Sequence, residues 1–386
     1  MAEKTLRVAI LRKMNNLEHD DRLRKEIGTL SILFPNVTYK CFVIYPENRD
    51  FEGKTSYGLP FKSVCVKSRD SYASGKHLLA KSWDFYKAIK KDLKEYDIIW
   101  CSGDAPTPLL LFIFGKTLIW DLRELPIFLM GSKIKHIILK YIFGKCRICL
   151  HANQFRINYL SELGLIKDSS KHIVIRNFTD FSTIDSDYDE RYYEVKEWIA
   201  DRKCLYLQGI NTPNRASKEV LTSVMETPDV CAIVLGGIDK EANEYLATKY
   251  GEEEVKSRIC YAGNFPVLKV PQYMKLCFAS MVFYKKTTMN NWFCEPNRLY
   301  QAIDMGLPVV TGSNPPMRAV VEELGVGISV DTDGGDVAKI VEGVNSLLSK
   351  YDEYKQQVDI LKDEIRWNSQ IPILQKSFNL LFNNNQ

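Results

Sequence analysis

"WFCEPNRLYQAIDMGLPVV" occupies residues 292–310. Its later half predicts a short helix that ends at Gly306, after which Pro308 opens an apolar run that reads as a strand. Its earlier half sets Glu295, Pro296, Asn297 and Arg298 directly ahead of that helix. Pro296 suits the position before a helix start, and Asn297 is a good N-cap. A helix start carries unpaired N–H groups and a partial positive charge. The stretch therefore reads as an anion site at the mouth of a buried helix, and a diphosphate would suit it. A capped helix with no ligand fits the same local pattern.

Further out, "YLQGINTPNRASKEVL" (206–221) reads as a strand, Gly209, a polar loop, and Arg215 at the start of a helix. A guanidinium there suits a pair of phosphates, being bidentate and permanently charged; a surface residue in a connecting loop is the other reading. Two anion-friendly helix starts in one domain together favour a nucleotide-diphosphate site. The strands "VCAIVLGG" (230–237), "RICYAGN" (258–264), "ASMVFY" (279–284) and "GISV" (327–330) complete this half. The first half alternates in the same way. "LRVAIL" (6–11), "YKCFVIY" (39–45), "YDIIWC" (96–101), "TLIWD" (117–121), "RICLH" (147–151) and "HIVIRN" (172–177) are short apolar runs separated by helix-length segments. Such alternation predicts parallel sheets covered by helices on both faces. At 386 residues the chain exceeds one ordinary core, so two domains are expected. We expect an N-terminal domain over 1–180, an acidic, Tyr-rich linker over 181–202, a C-terminal domain over 203–365 and a crossing helix over 366–386. Ligands in such sheets bind beyond the carboxyl ends of the strands.

Composition narrows the class. The ten cysteines are scattered apart from Cys146 and Cys149, as expected of reduced thiols in a cytoplasmic protein. The first twenty residues are too charged for a signal-peptide core, and the run 109–120 is too short to span a bilayer. Residues 1–180 hold 30 Lys/Arg against 19 Asp/Glu, a net +11, and the remainder holds 22 against 29, a net −7. That asymmetry predicts different partners for the two halves. The triplet "DSD" (185–187) has the letters of a metal motif but falls in the expected linker, so no metal site is assigned.

Taken together, these stretches resemble a retaining glycosyltransferase of the GT-B fold, similar to the large family 4. "EPNRLYQAIDMGLPVV" is close to the family's "PNKLFEYMAAGLPVV", and "YLQGINTPNRAS" resembles its "YxGxxxxxRG" phosphate loop. "LGG" (235–237) and "YAGNFPVLKVPQYMKLCFASMVFY" (261–284) follow in the family's order. So do "HDDRLRKEIGTL" (19–30), "IWDLRELP" (119–126), "IVIRNFTD" (173–180) and the late Trp367 before a terminal helix. The resemblance implies an α/β fold with two Rossmann-like doubly wound domains facing across a cleft, the C-terminal helix packing back. It implies transfer of a sugar from a nucleotide-diphosphate sugar, with retention and without a metal or other cofactor. Donor binding would fall to Gly209, Arg215 and Gln301, with backbone amides around Asn297, Arg298 and Leu299. In the family a glutamate at the position of Gln301 contacts the ribose. The sugar-contacting glutamate aligns with Phe293, and Glu295, two residues later, is the substitute. Asp121, Arg123 and Glu124 follow a strand and are expected on the acceptor side, as catalytic residues together with Glu295, while Asp21 reads as an N-cap.

The expected acceptor is a glycan or lipid-linked acceptor, in capsule or other surface polysaccharide synthesis; nucleic acid is not expected. A non-catalytic GT-B relative that binds a nucleotide-sugar or a partner protein is the alternative, and a nucleotide-sugar epimerase a weaker third. Residues 131–147 read as a basic amphipathic helix. Ile134, Ile137, Ile138, Tyr141 and Ile142 form one stripe, Lys133, His136 and Lys140 lie opposite, and Leu139 and Phe143 are expected at the exposed flank. An anionic membrane surface is the partner this helix predicts, with the protein cytoplasmic and peripheral on the inner face.

Overall fold

The computed structural model describes residues 5–13, 17–72, 76–103, 107–180, 187–265, 269–361 and 363–382. The chain divides into two compact units, Met1–Arg176 with Gln370–Gln386, and Asn177–Ser369.

The first unit is built on eight strands: β1 Leu6–Lys13, β2 Val37–Ile44, β3 Phe51–Lys54, β4 Pro60–Ser63, β5 Ile98–Ser102, β6 Thr117–Leu122, β7 Cys146–His151 and β8 His172–Val174. Their order is β3-β4-β2-β1-β5-β6-β7-β8. All neighbours are parallel except β3 and β4. Val8–Leu11, Cys41–Ile44 and Ile98–Cys101 of the central strands are buried and apolar, as expected of a sheet covered on both faces. The first helix, Asp21–Leu33, is capped by Asp20, whose side chain accepts from Leu23 N at 3.1 Å. Asp21, expected as the cap, instead lies in the first turn and pairs with Lys25 at 2.7 Å. The last helix, Ile371–Phe382, returns to this unit. Phe378 packs on Trp100 with ring centroids 5.4 Å apart, and Phe382 on Phe34 at 5.1 Å.

The basic helix runs Lys133–Lys145, with Ser132 as its cap, and it faces the other way from the expectation. Leu139, Ile142 and Phe143 are its buried residues, whereas Ile134, Ile137 and Tyr141 are exposed. The helix carries two apolar stripes, and periodicity cannot tell which one meets the core. Phe143 decides it by packing between the rings of Trp120 at 5.0 Å and His172 at 5.1 Å.

The second unit has six strands, β9 Lys203–Gln208, β10 Val230–Leu235, β11 Ile259–Gly263, β12 Ala279–Val282, β13 Val309–Thr311 and β14 Gly327–Ser329. They are all parallel, in the order β11-β10-β9-β12-β13-β14. Alternate residues serve opposite cores. Cys204, Tyr206, Cys231 and Ile233 face one, and Leu205, Leu207, Ala232 and Val234 the other. Within the expected linker, residues 187–202 include the helix Glu190–Ile199, whose Val195 and Ile199 join the first of these cores.

Candidate functional site

In the second sheet the chain steps out from β9 to β10 and β11, then returns to the other side of β9 with β12. Loops that leave two adjacent strands in opposite directions open a binding place at their carboxyl ends. Here those ends are Gln208–Gly209 and Phe283–Tyr284.

Arg298 ties the two ends together. One guanidinium nitrogen donates to the Gln208 carbonyl, and Nη2 donates to the Phe283 carbonyl at 3.0 Å. Arg215 donates to the carbonyl of Gly209. The Tyr284 ring lies beneath both cations, 4.8 Å from Arg298 Cζ and 5.7 Å from Arg215 Cζ. Neither arginine meets a carboxylate among the described residues. Arg298 is buried, which lowers its pKa; Tyr284 opposes this shift and the Arg215 charge adds to it. Its Nε is buried without a hydrogen-bond partner among the described residues.

The backbone beside these cations is bare. Gly209 has φ +60°, and a Cβ there would lie 2.5 Å from Arg215 Nη1. Gly236, after β10, has φ +115°, and a Cβ there would lie 3.3 Å from Gly209 Cα. The positive φ favours glycine at both positions. Arg215 lies in the 3-10 turn Pro213–Arg215, ahead of the helix Ser217–Glu226 rather than at its start. Ala216 stands between them at φ +54°.

The opening stretch forms the helix Asn297–Asp304. Its cap position is Pro296, not Asn297, so the first turn has no side-chain cap. Leu299 N is engaged by Pro296 O at 3.0 Å. The helix stops at Gly306, which takes φ +80°, while Leu307 N bonds back to Ala302 O at 2.9 Å. Gln301 is half-buried, and its side chain makes no hydrogen bond among the described residues. Phe293, also half-buried, ends the short helix Met289–Trp292. Glu295 is buried, and its carboxylate accepts from the Tyr300 hydroxyl. It therefore turns toward its own helix, where the Tyr300 ring packs on Phe178 at 4.6 Å.

A second charged group lies at the carboxyl ends of β1, β5 and β6 in the first unit. Asp121 does not follow a strand: it is inside β6 and fully buried. Its oxygens accept from Arg22 at 3.0 Å and Arg123 at 2.9 Å. Asp20 accepts from Arg12 at 2.9 Å and also from Arg123. Arg12 reaches the Ser102 carbonyl at 3.1 Å, and Arg22 the Ile175 carbonyl at 2.8 Å. Arg22 also contacts buried Glu26 at 2.9 Å, an ion pair without hydrogen-bond geometry. Burial would raise the Asp20 pKa, but Arg123 and Arg12 outweigh it and hold the carboxyl well below its usual range. Burial, with Asp121 adding, pushes Glu26 up to about 7. For Arg123, burial is outweighed by Asp20 and Asp121, and its pKa rises. One nitrogen, Arg123 Nη2, is buried without a hydrogen-bond partner among the described residues. Glu124 is exposed.

Sequence reading missed Tyr284, Gly236, Asp20 and Glu26. The strand-end rule could have found Tyr284, which directly follows the β12 region. The sequence also predicts that the loop "RKMNN" (12–16), after the first strand, faces the donor phosphates or the acceptor; its residues 14–16 lie outside the described residues, as do 185 and 186 of "DSD". Among the described residues no group of three or more His, Cys, Asp or Glu is placed to hold a metal ion. No described helix is long and apolar enough to cross a membrane.

No protein-family model matches the chain, and no curated protein matches it in sequence. Solved structures do match its fold. Sucrose-phosphate synthase from Thermosynechococcus elongatus superimposes with a TM-score of 0.75 at 12% identity, over 98% of this chain and 100% of the other. HepE of Anabaena, in complex with UDP, gives 0.71 at 12% identity over 98% and 100%. The UDP-forming α,α-trehalose-phosphate synthase from Burkholderia vietnamiensis gives 0.70 at 9% identity over 98% and 100%. The fold is thus of the GT-B class, an α/β chain with two Rossmann-like parallel sheets.

Proposed function

We propose that this chain transfers a sugar from a nucleotide-diphosphate sugar, with retention of anomeric configuration, to a glycan or lipid-linked acceptor in surface polysaccharide synthesis. The observation that carries the reading is the pair Arg215 and Arg298: two guanidiniums at the strand-order reversal of the second sheet, with carbonyls and a Tyr ring but no carboxylate among the described residues. A partly buried cation without a counter-charge is costly, and a diphosphate placed there offsets the cost. Arg215 and the uncapped start of the helix Asn297–Asp304 would stabilise charge on the departing diphosphate. Gln301 would meet the ribose as a neutral partner. We assign charge compensation to these protein groups, so turnover should survive chelation by EDTA. UDP and UDP-glucose, bound by the Anabaena neighbour, are the first species to try. In a thermal-shift screen of UDP, GDP, CMP and TDP species, a true ligand at a hundredfold excess over Kd adds about 2.7 kcal/mol. No shift with any of them would count against the site.

Of the four residues expected to act on the sugar or acceptor, Glu124 is exposed and is the acceptor-facing candidate. Glu295 reaches a sugar only by releasing Tyr300, while Asp121 and Arg123 act by positioning. That occupancy favours a second reading, a nucleotide-sugar-binding relative that does not turn over. Release of nucleotide on adding an acceptor extract separates the two. We also propose attachment to anionic membranes through the helix Lys133–Lys145, whose Lys133, Lys135 and Lys140 are all exposed. Each contributes about 1 kcal/mol near such a surface.

A further inference from the structure

Soluble surfaces scatter large apolar side chains singly, so a run of them on one face calls for an occupant. In the first unit Leu79 is 56% exposed, Phe114 69%, Ile134 73% and Ile137 67%, with Trp83 and Tyr141 also exposed. Contacts join them. Leu79 and Trp83 are successive residues on one face of the helix Leu78–Ile89. The Trp83 ring meets Phe112 at 4.9 Å, and Phe114 follows two residues on. Lys145 then links this segment to the basic helix. Its ammonium donates to the Leu110 and Ile113 carbonyls at 2.8 and 2.7 Å. It also lies 4.2 Å from the Phe114 ring centroid and 5.3 Å from that of Tyr141. Tyr141, Ile137 and Ile134 continue the face at spacings of four and three.

Lysines border this face: Lys87 and Lys90 at one end, and Lys133, Lys135 and Lys140 at the other, all exposed. The single acid of the helix Leu78–Ile89, Asp84, is paired with Lys87 at 2.7 Å. Residues 107–116 and 125–161 contain no Asp or Glu. A second copy docked across a two-fold would bring lysines against lysines. A membrane interface instead offers apolar depth for the rings and anionic headgroups for the lysines.

We infer that Leu79, Trp83 and Phe114 form an apolar wedge that enters the bilayer interface beside the basic helix. The inference rests on the reading of Lys133–Lys145 as membrane-facing, and adds a hydrophobic component that salt does not screen. The test is co-sedimentation of the full chain with vesicles of phosphatidylcholine and phosphatidylglycerol, at low and high salt. Two variants are compared with wild type, Trp83→Ala/Phe114→Ala and Lys133→Glu/Lys135→Glu/Lys140→Glu. These side chains are exposed, so thermal melting should show both variants folded.

Wild type should pellet at low salt and keep a residual fraction at high salt. The aromatic variant should bind about tenfold more weakly at both, because two of the three wedge side chains are truncated. The lysine variant should lose binding chiefly at low salt. Wild-type affinity in the aromatic variant, with loss in the lysine variant, would overturn the wedge and leave the helix reading intact. No pelleting of wild type at low salt would overturn both. So would a dimer, seen by light scattering, that the aromatic variant dissolves while vesicle binding is absent.

Discussion

At the carboxyl ends of the first sheet, Arg12, Arg22 and Arg123 share Asp20, Asp121 and Glu26 among them. At the carboxyl ends of the second, Arg215 and Arg298 have, among the described residues, backbone carbonyls and the Tyr284 ring but no carboxylate. Both groups occupy the place where such sheets bind ligands. The first set of charges is closed by folding itself, and removing any member strands a partner in a buried setting. The second is left open among the described residues, and in the proposed function an anion from outside completes it. The first should therefore show up in stability and the second in affinity.

The strongest way to break the comparison is Asp121→Ala. It strips a fully buried carboxylate from two guanidiniums and should cost about 3–5 kcal/mol in urea unfolding of the full chain. A loss under about 1 kcal/mol would mean that water reaches the pair readily, and the set would not be closed. Next comes Arg215→Ala, which should leave the melting temperature near wild type yet weaken nucleotide-diphosphate binding by roughly ten- to a hundredfold, the value of a charge-assisted contact. Titration calorimetry with UDP reads it directly. Unchanged affinity removes Arg215 from the site.

A third prediction uses pH. Glu26, with a folded pKa of about 7, binds its proton more tightly folded than unfolded, where 4.5 applies. Its contribution is most favourable below pH 4.5, falls as pH rises toward 7, and is level above that. Each unit in that window costs about 1.4 kcal/mol at most. Asp20 has the opposite sign: its depressed pKa gives stability above its unfolded value that is lost as pH falls. Glu26→Gln should flatten the decline between pH 5 and 7 by on the order of 1–2 kcal/mol. An unaltered slope would place the titration elsewhere.

Much of the fold was legible because buried parallel strands announce themselves as apolar runs. Twelve of the strands fall where such runs predict them. Strands β3 and β4 escaped because they are four residues each, edge-placed, and hold Gly53 and Pro60. The open arginine pair was half legible, since Arg215 and Arg298 sit in local strand-loop-helix patterns. The closed set was not. Arg22 and Asp121 are 99 residues apart, and Arg123 and Asp20 are 103 apart. No local period reports such pairs. The face of the helix Lys133–Lys145 was misread for a related reason: Trp120 and His172, which bury Phe143, come from other strands.

The smallest expected effect sharpens the comparison most finely, because it asks what lies beside the open pair. Gln301 sits on the same helix as Arg298, half-buried, with a side chain that makes no hydrogen bond among the described residues. If a ribose hydroxyl is its partner, Gln301→Ala removes one neutral hydrogen bond, about 0.5–1.5 kcal/mol, or roughly two- to tenfold in donor affinity. Gln301→Glu keeps the acceptor and adds charge, so a hydroxyl donor should bind it as well or better. That same charge is placed near the open arginines, where it also competes with the diphosphate. The two substitutions should thus separate by nucleoside and nucleotide. Uridine should favour the Glu variant over wild type, and UDP should show a smaller gain or none. If uridine binds all three proteins alike, position 301 does not touch the ribose, and the site ends at the arginines.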